Sequence, residues 1–203
     1  MSPGPCAVLF DIGNVVVRWD PRALYSKVLP DPAERDRFLA QVCTMAWHTE
    51  DDRGVSMADN DARLIARHPQ YASAILAWGE RWDEMFGGPI AETVDAIEAL
   101  HARGTPLYGL TNMPAEKAEG CFCMRPAFAR MRDIVVSGRE GVVKPDPRIF
   151  AIACERAGLA PAELLFIDDS PVNIEAAHSL GFDVHLFEHP AALRPALESR
   201  GLL

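Results

Sequence analysis

The sequence lacks three features that would each assign it to a large class of proteins. No apolar run reaches the roughly 18 residues that a membrane-spanning helix needs. No block of lysine and arginine offsets the net charge of −9, which disfavours binding to nucleic acid or to an anionic lipid surface. The start of the chain shows no basic segment before its first apolar run, so a secretory signal peptide is not expected. These absences predict a cytoplasmic protein that binds neither nucleic acid nor membrane.

Cysteine is scarce, and the patterns of a zinc site or a disulfide framework are missing. The five cysteines are an odd number, which together with the missing signal sequence indicates reduced thiols. No coiled-coil seam or self-complementary apolar stripe stands out, so the sequence gives no oligomeric state. What the chain does have is an apolar share of 49% in 203 residues. That is enough for one sizeable core with a smaller inserted lobe.

Short apolar runs that end abruptly in polar residues are the main secondary-structure signal. Runs of this kind, without polar alternation, are typical of strands buried on both faces of a parallel sheet. Helical patterns with capping signals lie between them, as at Asp146–Pro147 and Ser170–Pro171. The fold class we predict is α/β, with a doubly wound, Rossmann-like parallel sheet. The expected strands are Cys6–Phe10, Leu107–Leu110, Ile134–Val136, Leu164–Ile167 and Val184–Phe187.

A stretch of about 70 residues between the first strand and the rest of the sheet has a different character. It carries helical patterns around 33–47, 57–67 and 70–86, and no buried strand is expected in it. Such a length is too great for an ordinary connection. We therefore predict an inserted helical cap domain at 16–89, hinged near 16–18 and 87–88, on a core formed by 1–15 and 90–203.

The residues that follow the first, second and fourth of these strands suggest metal chemistry. Ligands of open parallel sheets bind beyond the carboxyl ends of the strands. Those ends carry Asp11, Thr111 and the pair Asp168–Asp169. Clustered carboxylates repel one another unless a cation lies among them, and hard oxygen ligands suit Mg²⁺, with Mn²⁺ as a possible substitute.

These residues belong to four motifs whose order and spacing resemble the haloacid dehalogenase superfamily of hydrolases, most of which are Mg²⁺-dependent phosphatases. The resemblance covers the whole chain, with the helical insertion in the place of that superfamily's small cap domain. The closest subgroup is that of α-D-glucose-1-phosphate phosphatases, whose first motif also reads DxGN. The motifs are VLFDIGNVV at 8–16, LYGLTN at 107–112, GVVKPDPRIF at 141–150 and LLFIDDSPVNIEAA at 164–177.

The resemblance implies a role for each motif residue. Asp11 would be the nucleophile that forms an aspartyl-phosphate, and Lys144 would stabilise it and the developing charge. Thr111 and the backbone N–H of Asn112 would hold a phosphoryl oxygen, with Met113 lining the pocket. The metal ligands implied are Asp11, the carbonyl of Gly13 and Asp169, whereas Asp168 and Asn173 would lie behind them and orient Lys144 or water.

Gly13 departs from the pattern of the superfamily, in which most phosphatases have at this position an aspartate that serves as general acid and base. Loss of such a group costs about 10²–10⁴-fold in rate. Three interpretations follow. The chain is a phosphatase for a small metabolite whose leaving group needs little help, such as an anomeric sugar phosphate. Alternatively it is a 2-haloacid dehalogenase-like hydrolase that acts at carbon, although those enzymes lack the acidic pair, or it is a binding or regulatory protein with weak turnover.

The cap is expected to select the substrate, because the core motifs contact only phosphate and metal. Arginine and histidine can hydrogen-bond sugar hydroxyls, and a tryptophan face can stack on a sugar ring. The residues predicted to bind substrate are Arg18, Trp47 and Arg53, taken from two polar and aromatic clusters at 18–20 and 47–53.

Overall fold

Five parallel strands form the central sheet of the computed structural model, which describes residues 4–123 and 126–203 apart from the side chain of Cys123. The first three residues of the predicted core segment therefore lie outside the described ranges. The strand order is β5-β4-β1-β6-β7, which confirms the predicted α/β parallel sheet. The strands are β1 (Ala7–Phe10), β4 (Leu107–Thr111), β5 (Asp133–Val136), β6 (Leu164–Asp168) and β7 (Asp183–Leu186).

Helices cover both faces of this sheet, so its three central strands are buried on both sides. In β1, Phe10 faces the layer that contains Ile97, whereas Leu9 faces the layer that contains Phe150. Burial on both faces explains why the strand sequences show no polar alternation. The core helices are α6 (Ala91–Ala102), α7 (Ala115–Cys123), α8 (Ser137–Glu140), α9 (Pro147–Ala157), α10 (Pro171–Ser179) and α11 (Pro190–Glu198).

The inserted lobe has its own apolar core, in which Tyr25, Phe38 and Trp78 are fully buried. It is joined to the sheet by a two-stranded antiparallel ribbon of β2 (Val17–Trp19) and β3 (Phe86–Pro89). Its helices are α1 (Pro21–Val28), α2 (Pro32–Gln41), α3 (Met45–Asp52), α4 (Met57–Arg67) and α5 (Ala72–Glu80).

The ribbon departs from the expectation of a helical segment without a buried strand, since its two strands are partly buried. Its second strand includes Gly87, Gly88 and Pro89, which are poor strand formers, so the sequence showed only a hinge there. Helix α1 was also missed, although Asp20 caps it by accepting a hydrogen bond from the N–H of Arg22. The helical pattern at 33–47 is two helices, because the chain breaks at 42–44 before α3 begins.

The cap also contacts the core through α7, away from the ribbon in sequence. The Nζ of Lys117 donates to the carbonyl of Gly79 at 2.7 Å, and the N–H of Met57 donates to Glu116 Oε1 at 3.2 Å. The ribbon is therefore not alone in holding the cap against the core. Within the described ranges, no helix has both the length and the apolar character needed to cross a membrane.

Candidate active site

The carboxyl ends of the three central strands meet beneath the cap. β1 lies between β4 and β6, so the residues that follow or end these strands are neighbours. They are Asp11 after β1, Thr111 at the end of β4 and Asp168 at the end of β6. Three of the expected side chains thus lie at one edge of the sheet, where ligands of such folds bind.

Asp11 is almost enclosed by protein, with 7% of its surface exposed. Its Oδ1 accepts a hydrogen bond from the N–H of Ile12 at 2.7 Å and lies 2.7 Å from the Nζ of Lys144. Burial raises the pKa of the Asp11 carboxyl to about 7, although the Lys144 ammonium acts in the opposite direction. The carboxylate therefore depends on nearby positive charge to stay ionised at neutral pH.

Lys144 supplies part of that charge from a buried position between two carboxylates. Its Nζ lies 2.7 Å from Asp11 Oδ1 and 2.7 Å from Asp168 Oδ2, and 5.7 Å from the centre of the Phe166 ring. Burial acts to lower the Lys144 pKa, but the two carboxylates outweigh it and the net direction is upward. Lys144 is therefore held as a cation at the edge of the sheet.

The side chain of Asn112 fixes the loop that carries this lysine. Its Oδ1 accepts from the N–H of Lys144 at 2.8 Å, and its Nδ2 donates to the Lys144 carbonyl at 3.1 Å. This paired contact was not expected, because the sequence suggested a role only for the Asn112 backbone. It joins the end of β4 to the Lys144 loop and so sets the position of the cation.

Asp168 is fully buried and its oxygens are already occupied. Oδ2 pairs with Lys144, and both oxygens accept from the Nδ2 of Asn173 at 3.1 Å. Oδ1 also accepts from the N–H of Ser170 at 2.8 Å. Ser170 was expected to cap α10, but its side chain makes no capping bond there.

One carboxylate oxygen from each of Asp11, Asp168 and Asp169 lies within 4.8 Å of the others, which is close enough for a single hard divalent cation to contact this group. Asp169 is the exposed member, and its pKa is raised by partial burial and by the Asp168 charge, although Lys144 and a hydrogen bond from Asn14 act in the opposite direction. Because Asp168 is committed to Lys144 and Asn173, Asp169 has more free capacity as a ligand. Gly13 lines the same cavity, and the donor set as a whole is compatible with Mg²⁺.

We expect Mg²⁺ to raise the melting temperature of the protein at neutral pH, because it would screen three mutually repelling carboxylates. Saturation at a hundred times the Kd corresponds to about 2.7 kcal/mol of added stability. Asp169→Asn should weaken this effect, since it removes one of the three charges. Thermal unfolding in EDTA and along a Mg²⁺ titration measures it.

The matched control is Glu92→Gln, which removes one exposed negative charge on α6, outside the cluster. It should respond to Mg²⁺ as the wild-type protein does. Identical Mg²⁺ responses of Asp169→Asn and the wild type would show that Asp169 is not part of the site.

A cavity of about 230 Å³ lies between the sheet edge and the cap. The core side contributes polar groups, including Thr111, Asn112, Lys144, Asp169 and Asn173, together with the apolar Met113. The cap side is mainly aromatic and apolar, with three polar side chains on α3. The cap residues that line the cavity are Trp19, Met45, His48, Thr49, Asp52, Trp82 and Phe86.

Three residues that were expected to bind substrate do not line this cavity. Trp47 is buried in the cap, edge-on to Trp78 at 5.4 Å, so it stabilises the cap core. Arg53 follows the end of α3 on the surface and pairs with Glu50 at 3.0 Å. Arg18 lies on β2, where its Nη1 donates to the carbonyl of Pro89 at 3.3 Å.

Asn14 is a site residue that the sequence reasoning did not assign. Its φ of 56° is in the left-handed region, which asparagine tolerates better than most residues. Its Oδ1 accepts from the N–H of Trp19 at 3.0 Å, and its side chain also bonds Asp169. The DIGN motif could have indicated this role, because a tight turn after the first strand favours a residue such as asparagine that tolerates a positive φ.

The sequence matches the family described as haloacid dehalogenase-like hydrolase over residues 7–181. Mouse acyl-CoA dehydrogenase family member 10 is 35% identical over 105 residues, which is 51% of this chain but only 10% of the mouse protein. Sesquiterpene phosphatase astK of Aspergillus oryzae is 24% identical and matches 97% of this chain and 96% of its own length.

A solved structure with the same fold is the HAD family enzyme BT-2542 of Bacteroides thetaiotaomicron, in complex with magnesium and inorganic phosphate. Its TM-score is 0.68 at 19% identity, and the match covers 90% of this chain and 93% of that chain. At this level of identity the likeness establishes the fold.

Proposed function

The chain belongs to the haloacid dehalogenase-like hydrolases, and from that premise we propose that it is a Mg²⁺-dependent phosphatase for a small phosphorylated metabolite, acting through an aspartyl-phosphate on Asp11. The observation that carries this proposal is the buried Asp11 carboxylate, which lies 2.7 Å from a buried lysine and within an acidic cluster suited to a divalent cation. We place this activity in the cytoplasm, because the composition favours it.

The core side of the cavity has the groups that phosphoryl transfer needs. Asp11 would attack phosphorus and displace the leaving group, and water would then hydrolyse the mixed anhydride. Lys144 and the donors around Thr111 and Asn112 would hold the phosphoryl oxygens. When bound among Asp11, Asp169 and the Gly13 carbonyl, Mg²⁺ supplies charge neutralisation between the nucleophile and the phosphate.

The acidic cluster also argues against hydrolysis at carbon. A dehalogenase needs no divalent cation, and three carboxylates would then crowd together with a single lysine between them. Uncompensated charge of this kind is costly in a protein interior. A binding protein without turnover would have no need of the buried Asp11–Lys144 pair.

For the substrate, we propose an anomeric sugar phosphate. Trp19, Trp82 and Phe86 give the cavity an aromatic lining against which a sugar ring can pack, and the hydroxyl of Thr49 can hydrogen-bond a sugar hydroxyl. An anomeric oxygen also leaves more readily than a simple alkoxide, which suits a site with Gly13 in place of the usual acid.

The apolar character of the same wall favours a second candidate, a terpenyl phosphate. Met45 and Met113 complete a hydrophobic surface around the three aromatic residues, and the cap contributes neither lysine nor arginine to the cavity lining. The similarity to a sesquiterpene phosphatase along almost the whole chain points in the same direction.

Phosphate release in Mg²⁺ and in EDTA tests these proposals. The substrates are glucose 1-phosphate, glucose 6-phosphate, farnesyl phosphate, acetyl phosphate and p-nitrophenyl phosphate. We expect metal-dependent release from acetyl phosphate, p-nitrophenyl phosphate and glucose 1-phosphate, with less from glucose 6-phosphate. Faster hydrolysis of farnesyl phosphate than of glucose 1-phosphate would select the second candidate. Inactivity on all five, with chloride release from 2-chloropropionate, would establish a dehalogenase instead.

A further inference from the structure

The position that carries a general acid in most related phosphatases is occupied in this protein by a glycine, which has no side chain to donate a proton. Gly13 lines the cavity, and a Cβ added to it would meet no atom within 4 Å. There is therefore open space where a carboxyl group could reach the leaving-group oxygen. The proton that this oxygen needs must come from another wall of the cavity or from water.

The cap contributes a different carboxyl group to the lining of this cavity. Asp52 is the last residue of α3 and lines the same cavity as Asp11, Gly13 and Lys144. Only 5% of its surface is exposed, and its buried Oδ1 lies 3.5 Å from His48 Nε2 without a hydrogen bond of good geometry. A buried carboxyl group whose oxygens are incompletely hydrogen-bonded is more stable in its protonated, uncharged form.

The surroundings of Asp52 favour a carboxyl group that holds a proton. Burial raises its pKa to about 6, and the neighbouring Asp51 charge adds to that shift, whereas His48 and Lys144 oppose it. These are the charged and titratable groups that face it: His48 and Asp51 from α3 itself, and Lys144 from the core. A group that titrates near neutral pH can both give and accept a proton during turnover.

Asp51, its neighbour on the same helix, has a structural role. Its Oδ1 accepts from the Nδ2 of Asn60 at 2.8 Å, and its Oδ2 lies 3.4 Å from His48 Nδ1. The other ring nitrogen, His48 Nε2, lies 3.5 Å from Asp52 Oδ1, and the His48 ring stacks on Trp19. The histidine ring is thus fixed between the two carboxyl groups, of which only Asp52 lines the cavity.

We propose that Asp52 is a catalytic residue contributed by the cap, which replaces the acid and base missing at Gly13. This inference rests on the proposed phosphatase function. As the bond from Asp11 to phosphorus forms, the bond to the leaving group breaks, and its oxygen takes the electron pair and the proton of Asp52. Water then attacks phosphorus, gives one proton back to Asp52, and releases phosphate and the Asp11 carboxylate.

A comparison of phenyl phosphate with p-nitrophenyl phosphate, which have nearly the same shape, distinguishes a catalytic role of Asp52 from a structural one. Phenolate is a poor leaving group that needs protonation, whereas p-nitrophenolate leaves without it. We expect Asp52→Asn to lower kcat/KM on phenyl phosphate about 10²-fold, because proton donation typically contributes 10²–10⁴. On p-nitrophenyl phosphate kcat/KM should change little, and a burst of nitrophenol should precede a slow steady state.

Asp51→Asn is the matched control, because it makes the same change one residue earlier on α3, outside the cavity lining. It should affect both esters in equal proportion. The double variant Gly13→Asp with Asp52→Asn should recover phenyl phosphate turnover, since position 13 has room for a carboxyl group.

Each result decides one question. An equal loss on both esters in Asp52→Asn, without a burst, would overturn the catalytic role of Asp52 and leave the phosphatase proposal intact. Failure of the wild-type protein to hydrolyse either ester in Mg²⁺ would contradict the phosphatase proposal itself, and with it the role of Asp52.

Discussion

Asp11→Asn is expected to abolish phosphatase turnover while the protein keeps its fold. Removal of a catalytic nucleophile in other enzymes lowers kcat on the order of 10⁶-fold, and a side-chain amide at this position could not form the mixed anhydride. Because asparagine has nearly the shape of aspartate, its carbonyl oxygen can still accept from the N–H of Ile12 and from Lys144. Initial rates of p-nitrophenyl phosphate hydrolysis, together with labelling of the denatured protein by radioactive phosphate, measure the effect.

The same substitution should change how stability depends on pH. Burial raises the Asp11 pKa from 3.8 to about 7, so the folded protein binds more protons than the unfolded chain between these values. The contribution of Asp11 to stability is therefore present below about pH 4 and is lost as pH rises towards 7. In metal-free buffer, Asp11→Asn should gain stability relative to the wild type across this window.

Wild-type activity in Asp11→Asn, after mass spectrometry confirms the substitution, would contradict the nucleophile assignment. Glu50→Gln, an exposed carboxylate on the cap, is the control for the loss of one negative charge. It should retain both turnover and the phosphorylated intermediate.

The core of the site could be predicted because its residues are tied to strand ends. Asp11, Thr111 and Asp168 each complete or follow a short buried run, and a parallel sheet brings such ends together whatever the details of packing. The start of α9 was also predicted correctly, because Asp146 is its N-terminal capping residue and Pro147 its first helical residue. Local sequence signals and the topology of the sheet were sufficient for these elements.

The cap wall could not be predicted, because it depends on how a short helix is rotated. Trp47 and His48 are adjacent in α3 and differ by about 100° around its axis. The larger Trp47 packs into the cap core against Trp78, and His48 is thereby placed at the cavity with Asp52 one turn further on. Only the packing of the whole cap decides this rotation, so the choice of Trp47 and Arg53 as substrate contacts had no firm basis.

Lys144→Met is expected to reduce both stability and activity. Lys144 is buried between Asp11 and Asp168, so its loss leaves two carboxylates in the protein interior without their counter-charge. Breaking a buried ion pair by removing one partner costs about 3–5 kcal/mol. Loss of one charge-stabilising donor lowers kcat on the order of 10²–10³-fold. Urea unfolding in metal-free buffer and steady-state kinetics in Mg²⁺ measure the two effects separately.

A second substitution distinguishes lost packing from unpaired charge. Asp168→Asn in the Lys144→Met background removes one of the two unpaired carboxylates, and it should recover part of the stability but none of the activity.

Lys117→Met is the control, because its ammonium donates to the uncharged carbonyl of Gly79, and its loss should cost only about 1–2 kcal/mol. Should Lys144→Met and Lys117→Met unfold at the same urea concentration, the ion network around Asp11 would contribute no more to the fold than a single hydrogen bond. The double variant is the most informative, because it is expected to regain stability without regaining activity. That result would show that Asp168 orients the Lys144 ammonium, whereas the ammonium itself is what the Asp11 nucleophile needs for turnover.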